Sequence, residues 1–114
     1  MEQSSKTLTF VVPAYNMETY LERCVESLLS ATDNSDIEVL IVDDGSSDST
    51  PELADMYERR WPGNVRAIHQ VNKGHGGAVN TGIANATGMY VKVVDADDWV
   101  DMPSIDTLMG TLRV

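Results

Sequence analysis

Cysteine is nearly absent from this 114-residue chain: Cys24 stands alone, which excludes an intrachain disulfide and fits a reducing compartment. Basic residues are scarce as well. Eight Lys and Arg face 18 Asp and Glu, for a formal net charge of −10. A nucleic-acid backbone requires the opposite sign, so no nucleic-acid partner is expected. An anionic ligand would also be repelled, unless a cation or a run of backbone N–H groups receives it. Long apolar runs are missing, and none approaches the roughly 20 residues that span a bilayer. Met1 to Lys6 is polar and lacks the apolar core of a signal peptide. These absences predict a cytoplasmic domain with no membrane segment in the chain, any membrane association being left to regions outside it. Low-complexity tracts and internal repeats are lacking too. With 42% hydrophobic and 23% charged residues, the chain has the composition of an ordinary globular protein. Its length suits a single domain, residues 1–114.

Alternation of strand and helix signals runs along the whole chain. Thr7 to Val12 (TLTFVV) is β-branched and apolar, is bounded by Pro13, and reads as a buried strand. Asn16 is a good N-cap for an amphipathic helix to about Ser30, with Tyr20, Leu21, Cys24, Val25, Leu28 and Leu29 forming its apolar stripe. Ile37 to Val42 is a second strand, almost continuously apolar, as a strand covered on both faces should be. Thr50 then caps a helix with Pro51 at its first position, ending near Trp61. A third strand spans Val65 to Val71, followed by a glycine-rich turn, Asn72 to Gly77, and a short helix, Ala78 to Ala86. Gly88 breaks the chain before a buried fourth strand, Met89 to Val94, and a last helix runs from about Pro103 to Leu112.

The order β-α-β-α-β-α-β-α predicts an α/β fold: a Rossmann-like, mainly parallel sheet with helices on both faces. In such sheets ligands bind beyond the carboxyl ends of the strands. The chemically distinctive segments fall there. Pro13-Ala14-Tyr15-Asn16, Asp43-Asp44-Gly45-Ser46, Asn72 to Gly77 and Asp95-Ala96-Asp97-Asp98 each follow a strand directly.

Asp95, Asp97 and Asp98 crowd three carboxylates together, and their repulsion calls for a neutralising partner. A hard divalent cation, Mg²⁺ or Mn²⁺, suits oxygen ligands and substrate phosphates; the other reading is a solvated acidic turn that caps a helix. Asp43 and Asp44 read either as turn chemistry or as a fixed carboxylate that accepts from a nucleobase N–H. Tyr15 is either core or a stacking platform for a flat base. The glycines after Asn72 allow close backbone approach to a phosphate at a helix N-terminus, with Lys73 and His75 adding positive charge in an acidic molecule. His75 itself is read as a surface residue before a catalyst. This stretch is no P-loop, and the first strand carries no dinucleotide fingerprint. Nucleophiles are missing, since Cys24 is mid-helix without an activating base and the serines near residue 46 lack a nucleophile elbow. The loops describe a donor-binding site without covalent chemistry.

In this order, the segments Thr9 to Leu29, Glu38 to Thr50 (EVLIVDDGSSDST), Asn72 to Val91 and Val94 to Pro103 (VDADDWVDMP) closely resemble the N-terminal half of family 2 glycosyltransferases, whose fold is called GT-A. The resemblance implies that Pro13, Ala14 and Tyr15 line a base pocket bordered by Asn16 and Glu18. It implies that Asp44 bonds the uracil edge with Ser46 nearby, and that Lys73 and Gly74 lie over the nucleoside or its phosphates. Asp95 and Asp97 form the DxD motif, reaching the ribose and the metal-bound diphosphate, with Asp98 an alternative ligand for Mn²⁺ or Mg²⁺. The implied reaction is inverting transfer of a sugar from a nucleotide donor, UDP-sugar by resemblance, to a saccharide or lipid-linked acceptor. Many relatives carry Arg-Asn where this chain has Val79-Asn80. The family's acidic base and acceptor region lie C-terminal to the DxD motif, so the chain is expected to be the N-terminal part of a longer enzyme and weak or inactive alone. Its uncovered sheet edge is expected to favour a homodimer. Two rival readings stand: a non-catalytic nucleotide-sugar-binding module, and a Mg²⁺-dependent receiver domain. A receiver would place its acidic pair after the first strand, where this chain has Pro-Ala-Tyr-Asn.

Overall fold

The computed structural model describes residues 6–114; the polar segment before Lys6 lies outside them. Four strands form one wholly parallel sheet in the order β3-β2-β1-β4. The strands are β1 (Lys6–Ala14), β2 (Ile37–Asp43), β3 (Val65–His69) and β4 (Gly88–Val93). The helices are α1 (Leu21–Leu28), α2 (Thr50–Arg60), α3 (Gly74–Asn85) and α4 (Met102–Leu112). Strand alternation divides the core in two. Leu8, Phe10, Val12, Val39 and Ile41 pack toward α1, α2 and α4, while Val11, Leu40 and Val42 pack toward Ala78 of α3. Helices therefore cover both faces, and β2 is buried along its whole length. Among the described residues no helix is long and apolar enough to cross a membrane.

Polar groups inside this sheet are paired. Glu38 of β2 is buried, with Oε1 accepting from Thr9 Oγ1 at 2.8 Å and from the Thr87 N–H at 3.0 Å. Its Oε2 accepts from Arg66 Nε at 2.8 Å. Burial alone would push this carboxyl up, but Arg66 and the threonine donors together hold it below the ordinary range.

Several local expectations shift. Asn16 is no helix cap. It takes the left-handed conformation, with φ of 53°, and its Oδ1 accepts from Ser47 N–H at 2.8 Å, so α1 begins only at Leu21. Thr50 lies inside α2 behind Ser49, which makes no side-chain cap, and Asp48 just outside the helix accepts the Thr50 N–H through Oδ1 at 2.8 Å. β3 stops at His69, short of the expected Val71, and Gln70 beyond it donates its side-chain N–H to Asp44. The glycine-rich turn supplies the first turn of α3, from Gly74, and Gly88 opens β4 instead of preceding it. β4 is not the buried strand expected from its composition: among the described residues it pairs only with β1, and it is exposed at Met89, Val91 and Val93.

Close packing of α3 on the sheet requires glycine at position 82, where a Cβ would lie 2.2 Å from Val11 Cγ1. Gly110 of α4 has open space around it. Gly82→Ala is expected to destabilise the chain by about 1–3 kcal/mol through overpacking. Gly110→Ala should stabilise it by about 0.5–1 kcal/mol through lower unfolded-state entropy. Urea unfolding of both variants checks the pair; an unchanged midpoint for Gly82→Ala contradicts the packing account.

Candidate donor-binding site

The strand order reverses between β1 and β4, the two strands whose following loops diverge, and ligands of such sheets bind at this point. A cavity of about 340 Å³ opens there at the carboxyl edge. Pro13, Ala14 and Tyr15 come to it from β1, Asp44 from β2, Gly74 from the start of α3, and Asp95 and Asp97 from the loop after β4. All seven were expected from the sequence as site residues. Pro13 lies past the last β1–β4 pair, Val11 with Val93, so its missing N–H leaves no rung of that ladder unmade.

Asp44 is buried and is the most constrained group in the wall. Its N–H donates to the Ala14 carbonyl at 2.9 Å, extending the β1–β2 ladder by one residue. Its Oδ1 accepts from Gln70 Nε2 at 2.9 Å and from the Lys73 N–H at 2.8 Å. Burial works to raise its pKa, and these donors outweigh it, keeping the group ionised below the usual carboxylate range. Lys73 thus acts here through its backbone. Gly45, with φ of 75°, lets the chain turn away directly, since a Cβ there would lie 2.8 Å from Asn72 N.

Asn16, Glu18 and Ser46 do not line the cavity. They brace the loops after β1 and β2 against each other. The Asn16 N–H donates to Ser46 Oγ at 2.9 Å, and the Ser49 N–H donates to Glu18 Oε1 at 2.8 Å. The Glu18 N–H donates to Asp48 Oδ2 at 3.2 Å, and the Met17 N–H to Thr50 Oγ1 at 2.8 Å.

Asp95, Asp97 and Asp98 each offer a carboxylate oxygen, and these oxygens lie within 4.8 Å of one another on an exposed turn. Three hard oxygen donors at that spacing fit Mg²⁺ or Mn²⁺. His75 stands across from them, its Nε2 3.0 Å from Asp95 Oδ1. Sequence reasoning singled out His75 for its charge and left it out of the site, because nothing in the chain order says that α3 points its first turn at the loop after β4. Met17 and Ala78 also line the cavity without having been singled out, and Asn72 and Ala96 do so from loops already expected at this edge. The alanines leave the volume empty; Ala96 follows a strand and Ala78 lies in the second turn of α3, where a small residue faces the sheet. Cys24 is buried, and burial first, then the three aspartates, push its thiol up to about 12; it is no nucleophile.

The chain as a whole is similar to known proteins. The family model described as Glycosyl transferase family 2 matches residues 9–113. A protein of Bacillus subtilis (strain 168) described as the uncharacterized glycosyltransferase EpsJ is 45% identical over 93 residues, covering 82% of this chain and 26% of that protein. The crystal structure of S. aureus TarS in complex with UDP-GlcNAc superposes with a TM-score of 0.84 at 26% identity, over 94% of this chain and 31% of that one. The mannosyltransferase PcManGT from Pyrobaculum calidifontis, in complex with GDP-Man and Mn²⁺, gives 0.80 at 26% identity, over 96% and 32%. The chain thus spans about a quarter to a third of the length of these proteins. The fold is of GT-A type, the match runs through all four loops at the sheet's carboxyl edge, and this chain belongs to glycosyl transferase family 2.

Proposed function

We propose that the chain is the donor-binding part of a longer glycosyltransferase that transfers a sugar from a UDP-sugar, with Mn²⁺ or Mg²⁺, to a saccharide or lipid-linked acceptor with inversion. The observation that carries this reading is one cavity walled by a fixed, ionised Asp44 on one side and by Asp95 and Asp97 of the three-aspartate turn on the other. The TarS complex with UDP-GlcNAc and the PcManGT complex with GDP-Man and Mn²⁺ support a nucleotide-sugar and a divalent ion.

Each wall has a task. Tyr15, half-exposed beside Pro13 and Ala14, offers its ring to the base. Asp44 commits Oδ1 to Gln70 and Lys73 and presents its other oxygen to the uracil N3–H. The first turn of α3 directs backbone N–H groups of a glycine-rich helix end toward the diphosphate. Asp95 takes the ribose or the ion, and Asp97 and Asp98 complete the oxygen set. The bound ion supplies Lewis-acid stabilisation of charge on the departing diphosphate. Asn16, Glu18 and Ser46 contribute by holding the loops that carry Tyr15 and Asp44. The acidic base is assigned to a segment of the longer enzyme outside this chain.

Calorimetric titration with UDP, with and without Mn²⁺ and with GDP and ADP as controls, is expected to give saturable, metal-enhanced binding that favours UDP. Equal binding of all three nucleotides contradicts the uridine assignment. Asp97→Ala should weaken Mn²⁺-dependent UDP binding by about tenfold or more, about 1.4 kcal/mol or more, at an unchanged melting temperature. Retained metal-dependent affinity moves the ligand role to Asp95 and Asp98. Asp44→Asn should lower UDP affinity by about tenfold. Its single amide oxygen is engaged by Gln70 and Lys73, so an NH₂ faces the base; unchanged affinity removes Asp44 from base recognition.

A further inference from the structure

Behind the cavity wall lies a contact that donor binding as described does not use. His69, the last residue of β3, sits between two carboxylates, with Nδ1 2.8 Å from Asp43 Oδ2 and Nε2 2.7 Å from Asp55 Oδ1. An ionised carboxylate only accepts, so both contacts are satisfied only when both ring nitrogens donate. A neutral imidazole has one N–H, and its other nitrogen would turn a lone pair toward a carboxylate at hydrogen-bond distance. The surroundings favour the cation. Asp43 faces the ring from β2 and Asp55 from α2, and Glu58 further along α2 is bound to the Ala67 N–H at 3.3 Å. Arg66 of β3 turns to the other face of the sheet, to Glu38.

The path from this clamp to the cavity is one residue long in each strand. Asp44 follows Asp43, and Gln70 follows His69. The Gln70 N–H donates to the Asp43 carbonyl at 3.0 Å, and the Gln70 side chain donates to Asp44 Oδ1 at 2.9 Å. We propose that His69 is a positioning residue for the donor pocket: as an imidazolium it clamps the ends of β2 and β3 to α2, and so holds Asp44 and Gln70 where a nucleobase is read. The inference rests on the donor-binding function proposed above.

The hydrogen bond to Asp43, then that to Asp55, raises the His69 pKa above its ordinary value, with burial opposing them. A folded-state pKa above the unfolded one gives a contribution that is complete below about pH 6.5 and lost as pH rises through the folded value. Donor affinity is therefore expected to fall on the alkaline side.

The test titrates UDP-GlcNAc, whose diphosphate diester carries no proton in this range, into wild-type chain and His69→Gln with Mn²⁺, from about pH 6 to about pH 8.5. Wild type is expected to bind roughly three- to tenfold tighter at the acidic end, a part of the strength of a charge-assisted hydrogen bond. The ratio should fall toward one at the alkaline end. Any contribution of His75 is common to both proteins and cancels. Binding with a pH-independent ratio overturns the proposal. A second measurement needs no ligand: the amide NMR shifts of Asp44, Gln70 and Lys73 should follow the titration of the His69 ring in wild type and lie flat in the variant. Shifts confined to Asp43 and Asp55 overturn the proposal. If wild type takes up no UDP-GlcNAc at any pH, the donor-binding function falls, while the amide titration still decides whether His69 governs Asp44.

Discussion

The hydrogen bond from the Asp44 N–H to the Ala14 carbonyl, at 2.9 Å, continues the β1–β2 ladder one residue past the end of β2, and the site depends on it. Parallel pairing holds Ala14 opposite Asp43, so the next residue of β2 leaves the sheet beside the next residue of β1. Asp44 and Tyr15 therefore emerge together at one wall. Alternation does the rest: Asp43 turns toward α2 and Asp44 toward the cavity. Because β1 and β2 are buried almost throughout, that geometry is held by the core and costs the loops little.

A chain of net charge −10 that is to receive the anionic donor proposed for it has to arrange positive potential without many cations. Here the scarce basic residues are mostly spent on structure. Arg66 is paired with Glu38, and Arg113 with Asp36. Positive potential at the cavity comes instead from the end of α3, where glycines leave backbone N–H groups without a side-chain cap. The one lysine in the glycine-rich loop uses its backbone N–H to fix Asp44. The remaining attraction is assigned to a divalent ion, which is consistent with an acidic rim.

The alternation of strands and helices, the two-sided core and the gathering of four loops were legible because β-branched runs ending in Pro, Gly or Asp are local signals. TLTFVV and IEVLIV announce their burial by composition alone. What was not legible depended on partners distant in sequence. Asn16 reads as a helix cap because Asn caps helices, yet Ser47, thirty-one residues on, takes its side-chain oxygen. β4 reads as buried because MYVKVV is apolar, and its neighbours decide otherwise, leaving it on the sheet edge. His69 carried no local mark of importance. Its role appears only when β3 is laid against β2 and α2.

The distinction between a structural and a ligand-binding carboxylate is likewise one of partners. Glu38, Asp43 and Asp48 resemble the cavity acids in sequence, and each is met by protein donors: Arg66 and Thr87, Ser46 and His69, Thr50 and Glu18. Asp44 is held by two donors that share a single oxygen. Among the described residues no hydrogen bond reaches the carboxylates of Asp97 or Asp98, although they stand within 4.8 Å of Asp95. Mutual repulsion at that distance is relieved only by solvent, by protonation or by a cation. Asp95 has His75 beside it, while Asp97 and Asp98 meet no protein donor among the described residues, as the metal-binding role proposed for them requires.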